Sequence, residues 1–396
     1  MKKLFLISLS MVLVGVLILS GCSKKEQQGP KVLRIGVIFG LTGPGSEHQL
    51  MERDVVQLCA DWINEKGGVT VKGEKYRIEL AVEDNKMSPA GSVDAATKLV
   101  HQEKVKFILG CVVPVQVDGV VSVTEKNKVL YVAVRTDIVH PDRPYSFTSN
   151  YGFAAPIPFL YEVLLEKYPG VKTVGQIIED EPGARAVAEL SRNIAKRHGL
   201  KMLEPQIHPW EAPEFFPQWT KILTQKPDAV DNGLKMPPET AGCIKQGREL
   251  GYKGPMFAAI PGDANLIMKM IGDKKFATDF IHPSLDPYGP DTTPLIKEIV
   301  KLWEKNHKDP FDADGPEGWD ALWCIVQAIE KAQSLDPTDV KNAWEKMDTI
   351  ETARGKARMG GAKTFGINHM VFNPCPVSIL KDGKVQFVKW FDPWVP

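Results

Sequence analysis

Between residues 32 and 260 the chain repeats one rhythm, a short apolar run followed by a longer segment of helical periodicity. The runs at 33–39, 76–82, 107–110 and 129–134 alternate with helix-like segments at 49–66, 90–102 and 116–126. A strand buried on both faces reads as continuous apolar residues, and joining parallel neighbours takes a crossover of about a dozen residues. The alternation therefore predicts βαβ units, a parallel sheet and helices on both of its faces. A proline-bearing stretch at 140–151 interrupts the rhythm, which restarts with a helix-like segment at 154–167. The second series has strand-like runs at 173–178, 202–207, 229–232 and 256–259, separated by helix-like segments at 184–198, 216–225 and 238–250. Two successive series predict an α/β fold of two doubly wound, Rossmann-like lobes. Extended residues 280–288 then lead to helix-like segments at 294–307, 318–332 and 337–347, expected to return to the first lobe. Residues 370–390 read as a hairpin turning on Lys381, Asp382, Gly383 and Lys384.

The N-terminus has a different logic. Lys2 and Lys3 precede an apolar run at 4–19, too short for the roughly 20 residues of a spanning helix. That layout predicts an export signal over 1–21. Its ending, Leu19, Ser20, Gly21 and Cys22, resembles the lipobox of bacterial lipoproteins. The resemblance implies cleavage before Cys22, lipid on that residue and a membrane contact made through the lipid. Residues 22–31, polar and ending in Gly29 and Pro30, then read as a tether.

Several function classes are excluded by composition. Forty-nine basic and forty-nine acidic residues cancel, so no global field attracts nucleic acid. Beyond Cys22, the cysteines at 59, 111, 243, 324 and 375 form no CxxC, which argues against a zinc site or a disulfide framework and leaves open one pair. No HExxH, GxSxG, strand-linked GxGxxG or Walker loop occurs, and no histidine pair has helical metal-ligand spacing. Neither an enzyme nor a cofactor is expected. Gly355, Gly360 and Gly361, set among Arg354, Lys356 and Arg358, read as a solvated loop rather than a phosphate cradle.

Residues 34–44 (RIGVIFGLTGP) and 62–69 (WINEKGGV) carry a family resemblance. So do Glu83-Asp84-Asn85 with Ser88-Pro89, the run 107–110 (FILG), the segment 172–180 and Gly318-Trp319-Asp320-Ala321. In that order and spacing they resemble the branched-chain amino acid binding protein family, the type I periplasmic solute receptors of ABC importers. The resemblance implies three crossovers between lobes, with residues 32–149 and 282–375 in the N-terminal lobe and 150–281 and 376–396 in the C-terminal lobe. It also implies an exported, monomeric lipoprotein that captures a small solute and delivers it to a permease and ATPase. A ligand-sensing module for a receptor kinase would use the same cleft.

Ligands of doubly wound sheets sit beyond the carboxyl ends of the strands, where loops diverge and helix N-termini present free N–H groups. The cleft segments expected here are 42–48, 111–116, 135–137, 179–183, 232–237 and 260–265. The resemblance implies hydroxyls and N–H groups after strands three and four for a ligand carboxylate, and an acid in the second lobe for its ammonium. This chain departs from that pattern. Val113 and Pro114 stand at the strand-three position without a hydroxyl, and Arg135, Thr136 and Asp137 follow strand four. The acid position falls near Pro261, with Asp263 two residues on, and His48 replaces the aromatic of the first loop. Arg135 reads either as a bidentate partner of a ligand carboxylate or as a loop arginine paired with Asp137 or solvent. Lys235 reads as a second cation or a solvated lysine, and His48 as a polar cleft residue, a ligand contact or a pH switch. Asp137 and Asp263 read as ammonium partners or helix caps. With a hydroxyl and an acid lost and an arginine gained, the expected solute carries a carboxylate, aliphatic or aromatic, without the full α-amino acid pattern.

Overall fold

The computed structural model describes residues 31–43, 46–135, 138–152, 155–209, 212–259 and 264–395. Two mostly parallel sheets organise them, as the alternation predicts. In the first, strand Lys31–Phe39 lies between Glu74–Asp84 and Phe107–Gly110, followed outward by Leu130–Ala133 and Ser146–Thr148, all parallel. In the second, Thr173–Glu179, Ala229–Asp231, Met256–Phe257 and Phe280–His282 run parallel. Hairpin Cys375–Lys381 and Lys384–Phe391 closes that sheet antiparallel to Phe280–His282.

Side-chain alternation along a strand sends successive residues to opposite faces, and each face finds its own helices. Ile35, Val37, Phe39, Phe107, Leu109 and Val132 share a core with Val55, Cys59, Trp319, Leu322 and Ile325 of helices Ser46–Glu65 and Pro316–Ala332. Ile38, Ile108, Tyr131 and Ala133 point the other way, onto Ala96, Leu99, Val117 and Val120 of helices Pro89–His101 and Pro114–Asn127. The second sheet divides likewise, Val174, Ala229, Phe257 and Ile281 facing one core and Ile177, Val230, Met256 and Phe280 another. Burial on both faces is why these strands carry no polar alternation.

The chain passes between the sheets three times. It leaves the first after Ser146–Thr148, returns from Phe280–His282 to helix Pro294–Asn306, and leaves again between Met370–Phe372 and Cys375–Lys381. His282 and Cys375, assigned by the family pattern to the N-terminal lobe, are paired in the second sheet, where His282 opposes Ser378.

Three local readings change. The run 202–207 is two strands, Lys201–Met202 and Gln206–His208, because Pro205 has no N–H to continue the ladder. Of the segment 370–390, Met370–Phe372 belongs to the first sheet, and Pro374 separates it from the hairpin. The hairpin turns on Asp382 and Gly383, both at positive φ, as a two-residue turn of matching twist requires. Residues 355–360 are strand Gly355–Gly360, not a solvated loop, paired with Thr349–Thr352 and Met370–Phe372. Their register sets Ala357 and Met359 into the core and leaves Lys356 and Arg358 exposed. Among the described residues no helix is long and apolar enough to cross a membrane, and no His, Cys, Asp or Glu group is arranged to hold a metal. All five cysteines beyond Cys22 are buried free thiols.

Candidate functional site

The carboxyl ends of the first-sheet strands are tied down before any ligand arrives. Beyond strand Lys31–Phe39, the Gly40 N–H donates to Gln49 Oε1 at 2.7 Å, and the Leu41 N–H and Thr42 hydroxyl both donate to Asp84. Beyond Phe107–Gly110 the backbone turns through Gly110 and Cys111, both at positive φ, and enters helix Pro114–Asn127. Val113 caps that helix without a side-chain acceptor, Pro114 has no N–H, and the Gln116 and Val117 N–H groups donate to the Val113 carbonyl.

Arg135 follows Leu130–Ala133 and lies almost wholly inside the protein. Two carboxylates meet the same nitrogen, Glu317 Oε2 at 2.5 Å and Asp314 Oδ1 at 3.5 Å from Nη2. Arg135 therefore pairs with acids at the head of helix Pro316–Ala332, a partner set absent from both sequence readings. Glu317 also reaches Arg354 Nη2, 3.3 Å from its Oε1. Burial works against the Arg135 charge, but Glu317 and Asp314 outweigh it and hold the guanidinium above its ordinary range.

The surrounding acids respond in the opposite sense. Burial pushes Asp314 up to about 8 against the pull of Arg135, and raises Asp320 to about 7 although the Ala353 N–H donates to it. Glu52 is fully buried and held well above the usual carboxylate range by burial and by Glu317. Neither of its oxygens makes a hydrogen bond of good geometry, with the Gly318 N–H close by. His48 Nε2 lies 3.7 Å from Glu52 Oε1, its side chain still 35% exposed at the rim. Burial and Arg135 lower His48 to about 4, so it is a neutral polar residue near neutrality and no switch there.

In the second lobe Lys235 is 1% exposed, which overturns its reading as a solvated lysine. Gly233, at positive φ, turns the chain after Ala229–Asp231 so that the Lys235 ammonium donates to the carbonyls of Ile177 and Asn232 at 2.6 and 2.5 Å. Two main-chain acceptors hold it within its own lobe. Beside it Glu179, near Glu239, is raised by burial to about 7, and His208 is lowered by burial and Lys235 to about 4. Thr136, Asp137, Asp263 and Cys22 lie outside the described residues, as does the Pro114 side chain.

The residues missed from sequence are Glu52, Asp314, Glu317 and Arg354. One signal was available: helix Pro316–Ala332 buries nearly its whole surface, yet its sequence carries Glu317 and Asp320. A charge on an all-round apolar helix needs a buried partner.

Two doubly wound sheets linked by three crossovers, with charge buried beneath their strand ends, define a two-lobed solute binder. Residues 32–376 match the family described as periplasmic binding protein, and the chain belongs to that family. It is 36% identical over 335 residues to the Leu/Ile/Val-binding protein BraC3 of Rhizobium johnstonii, an alignment covering 83% of this chain and 87% of the relative. Its fold is similar to the leucine binding protein LivK from Thermotoga maritima, with TM-score 0.73, 22% identity, and coverage of 91% of this chain and 99% of the other. It is similar also to a solute binding protein from Rhodopseudomonas palustris BisB5 in complex with 3,4-dihydroxy benzoic acid, with TM-score 0.73, 19% identity, and coverage of 91% and 98%. At these identities the two structures bear on fold alone. Members of the family bind solutes and are not enzymes.

Proposed function

We propose that this chain captures a small carboxylate or amino-acid-like solute between its lobes and delivers it to an ABC permease and ATPase. It works as an exported monomer, held at the membrane by lipid on Cys22. The lobes are residues 32–149 with 282–375, and 150–281 with 376–396, adjusted at His282 and Cys375 by their strand pairing. Arg135, Thr136, Asp137, His48, Val113 and Pro114 face the solute from the first lobe, and Asp263 from the second. Lys235 acts from below, as an anchor of its loop rather than a contact.

One observation carries the carboxylate reading: Glu317 is shared between Arg135 and Arg354. Two guanidiniums gathered on one Glu317 side chain concentrate positive charge there, which favours an anion beside Arg135. Support for an amino-acid-like solute comes from the 36% identical relative, which is named for binding Leu, Ile and Val. A thermal-shift screen of the mature protein with leucine, aliphatic acids and aromatic acids is the test. A solute at about 100 times its dissociation constant adds about 2.7 kcal/mol. Arg135→Ala is expected to abolish that shift. Tight leucine binding that survives Arg135→Ala would overturn the reading, as would a screen without any saturable shift.

A further inference from the structure

Asp314 is placed to compete with the solute. It sits in the turn before helix Pro316–Ala332, and its Oδ1 shares Arg135 Nη2 with Glu317. The two contacts differ. Glu317 is in full ion-pair contact, while Asp314 stands 3.5 Å away, beyond the 2.7–2.9 Å typical of a charge-assisted hydrogen bond. Neither Asp314 Oδ1 nor Glu317 Oε2 makes a hydrogen bond of good geometry among the described residues, so distance is what separates the two contacts. Asp314 is close enough to attract the guanidinium and too far for a charge-assisted hydrogen bond to it.

Resting on the carboxylate reading above, we propose that Asp314 is the specificity-determining gate of the Arg135 site. Protonated, it leaves Arg135 to the solute carboxylate; ionised, it closes on the same nitrogen and displaces that carboxylate.

The charged and titratable groups around Asp314 single it out. Glu317 is committed to two guanidiniums, so it stays in place whichever anion is bound. Glu52, from helix Ser46–Glu65, is completely buried and forms no ion pair with Arg135 within 4.0 Å, while its neighbour His48 is neutral above about pH 4. Arg354, from the turn after Thr349–Thr352, favours ionised Asp314, and Asp312, from the preceding loop, opposes it. Among the described residues, Asp314 alone combines an Arg135 contact, a side chain 10% exposed to solvent protons and a titration near pH 8. Arg135, held above its ordinary range, keeps its charge throughout that interval. The gate holds anions best below its own titration. No covalent step is involved; one proton leaves Asp314 as it closes.

Titration calorimetry with leucine, 4-methylpentanoate and benzoate, from about pH 6.5 to about pH 9, tests this, because these carboxylates are ionised throughout. The expected result is an affinity that falls up to about tenfold per pH unit above the Asp314 midpoint. Asp314→Asn is expected to flatten that decline, and Asp314→Ser provides a second variant should the first misfold. Asp279→Asn, whose carboxylate pairs with Lys381 in the second lobe, is expected to keep the wild-type profile. A flat profile in the wild type, or an equal decline in folded Asp314→Asn, overturns the gate and leaves the carboxylate reading standing. Absence of binding by all three probes at every pH overturns both.

Discussion

Arg135 and Glu317 form a 2.5 Å ion pair between two stretches of chain that the parallel strands of the second sheet separate in sequence. Arg135 ends the fourth parallel strand of the first sheet, and Glu317 heads a helix reached only after the return crossover. The pair therefore forms only when the first lobe is assembled from both of its chain segments. It joins the site to the architecture.

Removing the shared carboxylate is expected to be expensive. Glu317→Ala leaves Arg135 and Arg354 buried without it, and breaking a buried pair in this way costs about 3–5 kcal/mol. Chemical denaturation measures the loss, and a change below about 1 kcal/mol would mean that solvent reaches both guanidiniums.

Stability is expected to fall from about pH 6.5 to about pH 8. Asp320 and Asp314 have folded values of about 7 and 8, above their unfolded value of 3.8, so the folded state binds their protons more tightly. Their contribution is present at low pH and is lost as pH rises from the unfolded toward the folded value. The buried histidines act in the opposite window. His208, at about 4, and His282, at about 3, lie below 6.5, so their contribution is lost as pH falls below 6.5. Above pH 6.5 these histidines no longer contribute, and each acid lowers stability with a slope of up to about 1.4 kcal/mol per pH unit. Denaturant midpoints across this interval decide it, and a rise would contradict the burial of these acids. Asp320→Asn is expected to reduce the fall.

Gly110→Ala tests the backbone at the strand-three loop. A Cβ there would stand 1.9 Å from the Ile38 carbonyl oxygen, and φ is +129°. Neither the strand pairing nor the conformation leaves room, so a loss of about 3 kcal/mol or more is expected from strain and overpacking together. A variant melting within a degree of wild type would show that the loop relaxes.

Lys235→Met removes the donor from two strand-end carbonyls while preserving most of the apolar stem. Leaving the Ile177 and Asn232 carbonyls unsatisfied is expected to cost about 1–3 kcal/mol. A stabilised variant would mean that desolvation of the ammonium outweighs both bonds, a balance readable from urea denaturation.

The doubly wound lobes were legible because each strand in a parallel sheet is buried on both faces, and that burial is written as unbroken apolar runs. The runs at 33–39 and 107–110 are of this kind, and so is the hairpin turn at Asp382 and Gly383. Less legible were elements whose identity depends on distant partners. Gly355–Gly360 looked like a charged loop because only every second residue faces the core, and Met370–Phe372 looked like part of the hairpin that follows it. At the site, Arg135 could be placed beyond its strand from local pattern alone. Its partners could not, since Asp314, Glu317 and Arg354 belong to the returning segment.

By itself the sequence determined the class of this protein: two parallel α/β lobes, a cleft at their strand ends and an arginine where a hydroxyl was expected nearby. Periodicity and local turns are short-range properties, and a chain carries them in order. Tertiary structure decided what that arginine is. Electrostatic environment depends on which groups share a buried space, and for Arg135 those groups arrive from the segment that returns to the first lobe, Asp314 in the turn and Glu317 at the head of the helix that follows. Burial then leaves Asp314 protonated near neutrality and Glu317 divided between two guanidiniums, a charge state that no single segment encodes.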